Sequence, residues 1–161
     1  MNKVTREEFA DVVKTSGIKP RLKRELRFVP GEIIDWQLRD FIAVTNKSKT
    51  EGVLIADRDV LVAVPFKLER RAASNSGRVE AIICDICASW QCGSNSAAIT
   101  FTKEKSTTTY LVCQDLDCSL HVRDKTPQAV LSRAQLREHL TPEERVERLR
   151  RRLFAIVDSL H

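Results

Sequence analysis

The sequence is short of the residues and motifs on which most catalytic sites depend. It has only three histidines, at positions 121, 139 and 161, and they are too scattered to suggest acid–base machinery. It contains no glycine-rich phosphate loop, no HExxH pair and no nucleophile elbow. We therefore expect a protein that is not an enzyme and that has no small-molecule substrate.

Long apolar runs are also missing. No run approaches the ~20 residues that a membrane span requires. The first eight residues, MNKVTREE, have no apolar signal core and turn acidic at once. The five cysteines are an odd number, which argues against a disulfide framework. These features lead us to expect a cytoplasmic protein without a membrane partner.

The size and net charge of the chain limit its number of domains and its class of partner. The chain has 161 residues, of which 42% are hydrophobic and 30% are charged, as expected for one ordinary domain or one domain with an elaborated arm. Its formal net charge is +5. This modest excess favours a polyanionic or acidic partner without requiring one.

The most informative feature is a set of two close cysteine pairs. Cys84 and Cys87 enclose two residues, and after an interval of 25 residues Cys113 and Cys118 enclose four. Each pair follows an apolar run, so thiolates on two tight turns can complete a tetrahedron around one structural Zn²⁺. Because the second spacing is loose, Cys92 or His121 remains an alternative ligand. A redox role for the first pair is the other alternative.

The elements around these pairs predict an α+β fold: a small antiparallel sheet with a treble-clef zinc finger and flanking helices. The knuckle (Cys84–Cys87) precedes a hairpin, and the second pair opens a helix at about 118–122. Apolar runs at 53–56 and 60–64 predict another hairpin, covered on both faces and ended by Pro65.

Helix signals occur near both ends of the chain. Thr5 with Glu8, and Thr141 with Glu144, match the capping box that opens a helix. The second box precedes an amphipathic pattern at about 142–160. Between the finger and this helix we expect a linker from Thr126, from which three leucines pack back onto the core: Leu131, Leu136 and Leu140.

Two basic segments suggest a second hypothesis for function. The segment 19–27 is rich in lysine and arginine, and further arginines follow one side of the C-terminal helix. Such charges are usually a solvated face. The alternative is that they bind phosphates of RNA or the ribosome, with affinity that falls as salt rises.

These motifs together resemble a known family. ICDIC at 83–87, YLVCQDLDCSLHVR at 110–123 and TPEER at 141–145 are similar to the elongation factor G-binding proteins, or FBP-domain family, which includes fusidic-acid resistance proteins of the FusB type. The likeness covers about Leu26 to the end. It divides the chain into an N-terminal helical arm at 1–25 and an FBP-type domain at 26–161, with the finger at about 79–125.

The resemblance carries expectations about ligands and partners. It implies one structural Zn²⁺ on Cys84, Cys87, Cys113 and Cys118. It also implies a bacterial, cytoplasmic protein that docks its finger on elongation factor G and helps that factor leave the ribosome, which in resistance members counteracts fusidic acid. The contact residues expected by this resemblance are Ile83, Lys103, Lys105, Tyr110 and Leu111.

Overall fold

The computed structural model describes residues 1–33, 35–71, 77, 79–103, 106–136 and 138–160. The helices among them are α1 (Arg6–Thr15), α2 (Pro20–Glu25), α3 (Cys118–His121), α4 (Pro127–Leu136) and α5 (Pro142–Leu160). The strands are β1 (Phe41–Thr45), β2 (Glu51–Asp57), β3 (Leu61–Arg70), β4 (Ile82–Ile83), β5 (Trp90–Gln91), β6 (Ser96–Lys103) and β7 (Ser106–Cys113).

Five of the strands form one antiparallel sheet in the order β1-β2-β3-β6-β7. The first three follow one another as a meander, and the β6–β7 hairpin adds to the last four residues of β3. The two-residue strands β4 and β5 pair separately beside it. The fold is therefore α+β with a small antiparallel sheet, as the sequence predicts.

Each face of the sheet has its own hydrophobic core. On one face, the first core, α5 packs Leu149, Leu153, Ile156 and Val157 against the sheet. The four cysteines of the two close pairs belong to this first core. On the other face α1 and α2 pack over β1–β3 through Phe9, Val13 and Leu22, which forms the second core.

Strand β2 lies between the two cores. Its residues Val53, Leu54, Ile55 and Ala56 are at most 1% exposed. Successive side chains of a strand point to opposite faces, so a continuous apolar run requires cover on both sides. The predicted two-sided burial is confirmed for β2, whereas in the second predicted run Val60 is 68% exposed and Leu61 and Val62 are only partly buried.

Both predicted capping boxes are present. In α1 the Glu8 N–H donates to Thr5 Oγ1 at 3.2 Å, and the Thr5 N–H donates to Glu8 Oε2 at 2.7 Å. The corresponding distances at Thr141 and Glu144 of α5 are 3.2 and 2.8 Å. These bonds join residues three apart, so the local sequence is sufficient to specify them.

The prediction that Pro65 ends its strand is wrong, because β3 continues through it to Arg70. The Leu68 N–H bonds to the Thr50 carbonyl on the β2 side. Backbone N–H groups of successive residues point to alternate sides of a strand, so the position where Pro65 lacks its N–H faces away from β2. Pairing with β6 begins only at Lys67, so the proline interrupts no ladder bond.

The predicted linker after Thr126 is also wrong in part. Residues Pro127–Leu136 form α4, which presents its small buried residues Ala129 and Ser132 towards the interior, and Ser132 Oγ accepts from the Trp90 N–H at 2.8 Å. Leu131 and Leu140 are 52% and 38% exposed, so they do not pack back onto the core. The side chain of Leu136 lies outside the described residues.

Candidate metal centre

The knuckle is a tight turn after β4 that aims two sulfurs inward. The Ala88 N–H donates to the Cys84 carbonyl at 2.8 Å, which closes the turn, and Ala88 has a positive φ of 56°. The Cys87 N–H points at Cys84 Sγ over 3.5 Å. The backbone therefore supplies a donor to one sulfur while bringing the second onto the same side.

The second pair is held at a strand end and a helix start. Cys113 is the last residue of β7, and Cys118 is the first of α3. Between them the Leu116 N–H donates to the Cys113 carbonyl at 3.1 Å, with a φ of 57° at Leu116. The four intervening residues thus form a turn that returns the chain to the same site, which accommodates the loose spacing.

The four sulfurs form one buried cluster. They all lie within 4.8 Å of one another, and all four residues are 0% exposed. Cys84 Sγ is 3.8 Å from Cys118 Sγ, and Cys87 Sγ is 3.6 Å from Cys113 Sγ. A tetrahedron with Zn–S bonds of about 2.3 Å has edges of about 3.8 Å, whereas a disulfide bond is about 2.0 Å long. The cluster therefore fits one structural zinc ion.

The electrostatics of the cluster also favour a cation. Burial, followed by the neighbouring sulfurs, raises the pKa of the Cys113 thiol well above its ordinary value. Four thiolates packed this closely need a positive ion to be stable together, and a divalent metal deprotonates coordinating thiols outright. A site closed by four protein ligands holds the fold together and leaves no position for substrate.

Asp85 attaches the knuckle to strand β7. Its N–H donates to the Leu111 carbonyl at 2.7 Å, and its Oδ2 accepts from the Leu111 N–H at 2.6 Å. Two arginines of α5 reach the same turn: Arg148 donates to the Cys87 carbonyl at 3.4 Å, and Arg152 to the Asp85 carbonyl at 3.3 Å. The knuckle is thus held by strand and helix as well as by its sulfurs.

His121 lies beside the cluster and is only 1% exposed. Its Nδ1 is 3.3 Å from Cys113 Sγ, and its Nε2 is 3.3 Å from Asp115 Oδ2, although the latter contact is poorly aligned for a hydrogen bond. Burial by itself lowers the pKa of His121, but Asp115 and the Cys87 sulfur outweigh burial and raise the pKa to about 10. Cys92 lies elsewhere, with its Sγ 3.1 Å from Ser94 Oγ.

An ion-pair network around a buried carboxylate connects the finger and α5 to the residue that precedes β1. Asp40 has a side chain 1% exposed that binds Arg123 at 2.5 Å and Arg150 at 2.8 Å, while its N–H donates to Ser119 Oγ at 3.0 Å. Burial alone raises the pKa of Asp40, but the hydrogen bonds from these arginines outweigh it and hold the pKa below its ordinary value. The sequence analysis missed this network, because Arg123 and Arg150 lie 83 and 110 positions after Asp40 and no local pattern links them.

The predicted contact residues fall in two places. Ile83 and Leu111, 46% and 38% exposed, flank the junction between the knuckle and β7. Tyr110 is half-buried, with its ring edge-on to Phe101. Lys103 lies at the far end of the hairpin, where its Nζ is 3.5 Å from the Ser159 carbonyl. Lys105 lies outside the described residues.

A knuckle, a hairpin and a one-turn helix that share four buried sulfurs define a zinc-binding protein of the treble-clef class. The model of the FBP C-terminal treble-clef zinc-finger family matches residues 22–160, and the chain belongs to that family. No curated protein and no solved structure gives a significant match. Among the described helices, none has the length and apolar character needed to cross a bilayer.

Proposed function

We propose that this chain is a non-enzymatic zinc-finger protein that binds elongation factor G and modulates its release from the ribosome. Family membership supports this partner, because the family name, FBP, points to binding of an elongation factor. The closed four-sulfur site supports a structural role for the metal. Protection against fusidic acid is the specialised form of this activity.

The observation that carries the proposal is the exposed apolar pair at the knuckle. Ile83 and Leu111 both sit where Asp85 joins the turn to β7, on backbone fixed by hydrogen bonds and by the sulfur cluster. Apolar side chains on a rigid support lose little conformational entropy when a partner buries them. Tyr110 and Lys103 make contacts within the chain, so we assign them a smaller share of the binding energy.

The test is binding of zinc-loaded protein to purified bacterial elongation factor G, measured by calorimetry. Ile83→Asp and Leu111→Asp should each weaken binding about 10-fold or more, because each places a charge at the contact. Val60→Asp is the matched control: Val60 is 68% exposed in the β2–β3 turn, which is part of neither the knuckle nor β7. No binding by the wild-type protein at low salt would refute the partner, and equal binding by all three variants would refute the site.

The alternative partner is RNA, bound through the basic segments. Several of those cations are already engaged: Arg21 pairs with Glu25 and Glu51, Arg27 with Glu32, and arginines of α5 with Asp124, Glu138 and Asp40. Internal pairing leaves less charge for phosphates, which favours the protein partner.

Charge reversal at Arg24 and Lys23 separates the two candidates. The double variant should leave binding to elongation factor G unchanged, because α2 lies apart from the knuckle in sequence and packs on the second core. RNA binding that falls steeply with salt and disappears in this variant would instead support the alternative.

A further inference from the structure

His121 is a buried polar residue that the four-sulfur site does not need as a ligand. Cys84, Cys87, Cys113 and Cys118 already supply four sulfurs, the usual complement for structural zinc. A buried imidazole is costly unless its nitrogens find partners. The partners of this ring therefore indicate what it does.

One ring nitrogen faces a ligand sulfur. Helix α3 begins at Cys118, so His121 lies three residues later on the same side of the single turn, and its Nδ1 comes within 3.3 Å of Cys113 Sγ. Among the described hydrogen bonds, Cys84 receives the N–H of Cys87, and Cys113 receives the ring nitrogen of His121. Each ligand pair thus has one nitrogen within hydrogen-bond distance of a sulfur.

The other side of the ring faces a chain of hydrogen-bonded polar side chains. The Asp115 carboxylate faces Nε2 at 3.3 Å. Asp115 is itself held, because its Oδ1 accepts from the Asp117 N–H at 3.0 Å and its Oδ2 from Asn95 Nδ2 at 2.9 Å. Asn95 Nδ2 is also 2.9 Å from Gln91 Oε1 on β5. The ring therefore lies between the Cys113 sulfur and a carboxylate that is itself held in place.

We propose that His121 is an outer-sphere donor to the Cys113 thiolate, and that Asp115 positions it. Four thiolates around one Zn²⁺ leave the buried centre with a net charge of −2, concentrated on sulfur. An N–H directed at one sulfur draws off part of that charge. The Cys113 thiolate then reacts with electrophiles less readily, and the centre keeps its metal longer.

The distinguishing measurement is the spectrum of the protein loaded with Co²⁺ in place of Zn²⁺. A sulfur-to-cobalt charge-transfer band reports electron density on the thiolates, which a purely structural role of His121 would not change. His121→Phe keeps the ring volume and removes both nitrogens, so the band should move to lower energy. Zinc affinity, measured by competition with a chromogenic chelator, should fall about 10-fold or more.

Rescue provides the second readout. In His121→Asn the side-chain amide can place an N–H near the position of Nδ1, so the band and the affinity should return most of the way to wild type. Asp115→Asn keeps the ring but weakens its anchor, and should produce a smaller change in the same direction. His139→Phe, at an exposed histidine, is the matched control and should change nothing.

Two outcomes would overturn the proposal. The first is a folded His121→Phe protein with an unchanged cobalt spectrum and unchanged zinc affinity. The second applies if His121→Phe does not fold: Asp115→Asn then decides, and a folded Asp115→Asn protein with the wild-type band position and the wild-type zinc affinity refutes the donor role. Neither outcome depends on binding to elongation factor G.

Discussion

At the scale of single residues, stability is concentrated in a few buried polar and metal-binding groups. The four ligand cysteines are completely buried, while Cys92 is only partly covered and bonds to Ser94. Metal binding in structural zinc sites is worth about 10–16 kcal/mol, as much as the whole stability of an ordinary domain. Loss of one ligand should therefore have a far larger effect than loss of the fifth cysteine.

Cys87→Ser should abolish stoichiometric zinc binding and unfold the finger, because the remaining three sulfurs cannot close the tetrahedron. Elemental analysis with circular dichroism measures both effects. Cys92→Ser is the matched control and should retain one zinc per chain with an unchanged melting temperature. If Cys87→Ser retained zinc and Cys92→Ser lost it, the ligand set would be wrong.

Asp40 gives a prediction about pH. Its folded-state pKa is lowered, so its contribution is fully present above the unfolded-state pKa of about 3.9 and is lost as pH falls towards the folded value. Asp40→Asn should cost about 3 kcal/mol at neutral pH, since it leaves Arg123 and Arg150 without their carboxylate.

Urea unfolding of both proteins across pH 3–7 checks this prediction. The difference in unfolding free energy should be constant above about pH 5 and should narrow below about pH 4. The zinc centre is common to both proteins, so its own acid sensitivity largely cancels. A difference independent of pH would mean that the effect of Asp40 comes from packing rather than charge.

The residue scale also shows how far sequence reasoning reaches. The ligand cysteines could be predicted because two short spacings suffice to identify them. His121 was predicted only as a substitute ligand, since the sequence places it near Cys118 without telling where its nitrogens point. Asp40 could not be predicted at all, because its partners are distant in the chain and converge only after the sheet and α5 have packed together.

At the scale of elements, helix α5 depends on its first turn. Thr141→Ala removes the hydroxyl that accepts from the Glu144 N–H, and should lower stability by about 1 kcal/mol, or roughly 2–4 °C in melting temperature. Thr141→Ser keeps the acceptor and should restore most of the loss. Calorimetry of the three zinc-loaded proteins provides the measurement. Equal melting temperatures for all three would show that the box contributes nothing.

Elements with local signals could be predicted, and those decided by tertiary contacts could not. The boxes at Thr5 and Thr141 involve neighbours three residues apart, so the starts of α1 and α5 follow from the sequence. Whether the strand continues through Pro65 depends on which side of β3 is hydrogen-bonded to a neighbouring strand at that position. Helix α4 was missed because it buries Ala129 and Ser132, small residues that carry no hydrophobic period, while Leu131 faces solvent.

At the scale of the whole molecule, the metal site and α5 share one core. Cys84, Cys87, Cys113 and Cys118 belong to the same cluster as Leu149 and Leu153, whereas α1 packs on the opposite face of the sheet. Metal removal should therefore expose the first core before the second. The boundary predicted at residue 25 remains a prediction, although Leu22 and β2 already contribute to the same second core.

A strong chelator should accelerate amide hydrogen exchange in β6, β7 and α5 by at least 10-fold, and affect α1 less. Zinc binding is linked to folding of the first core, so its loss lowers the free energy of opening there. Exchange followed by mass spectrometry distinguishes the segments. Uniform loss of protection would show that the two cores unfold together, and unchanged protection in α5 would show that the helix does not depend on the metal.

The position of Cys118 ahead of α5 has a consequence for biosynthesis. Chains leave the ribosome from the N-terminus, and domains generally fold in that order. All four thiols therefore leave the ribosome before the first residue of α5, Pro142. The nascent finger can load its ion while that side of the sheet is still open, and the last helix then closes over a centre that is already filled.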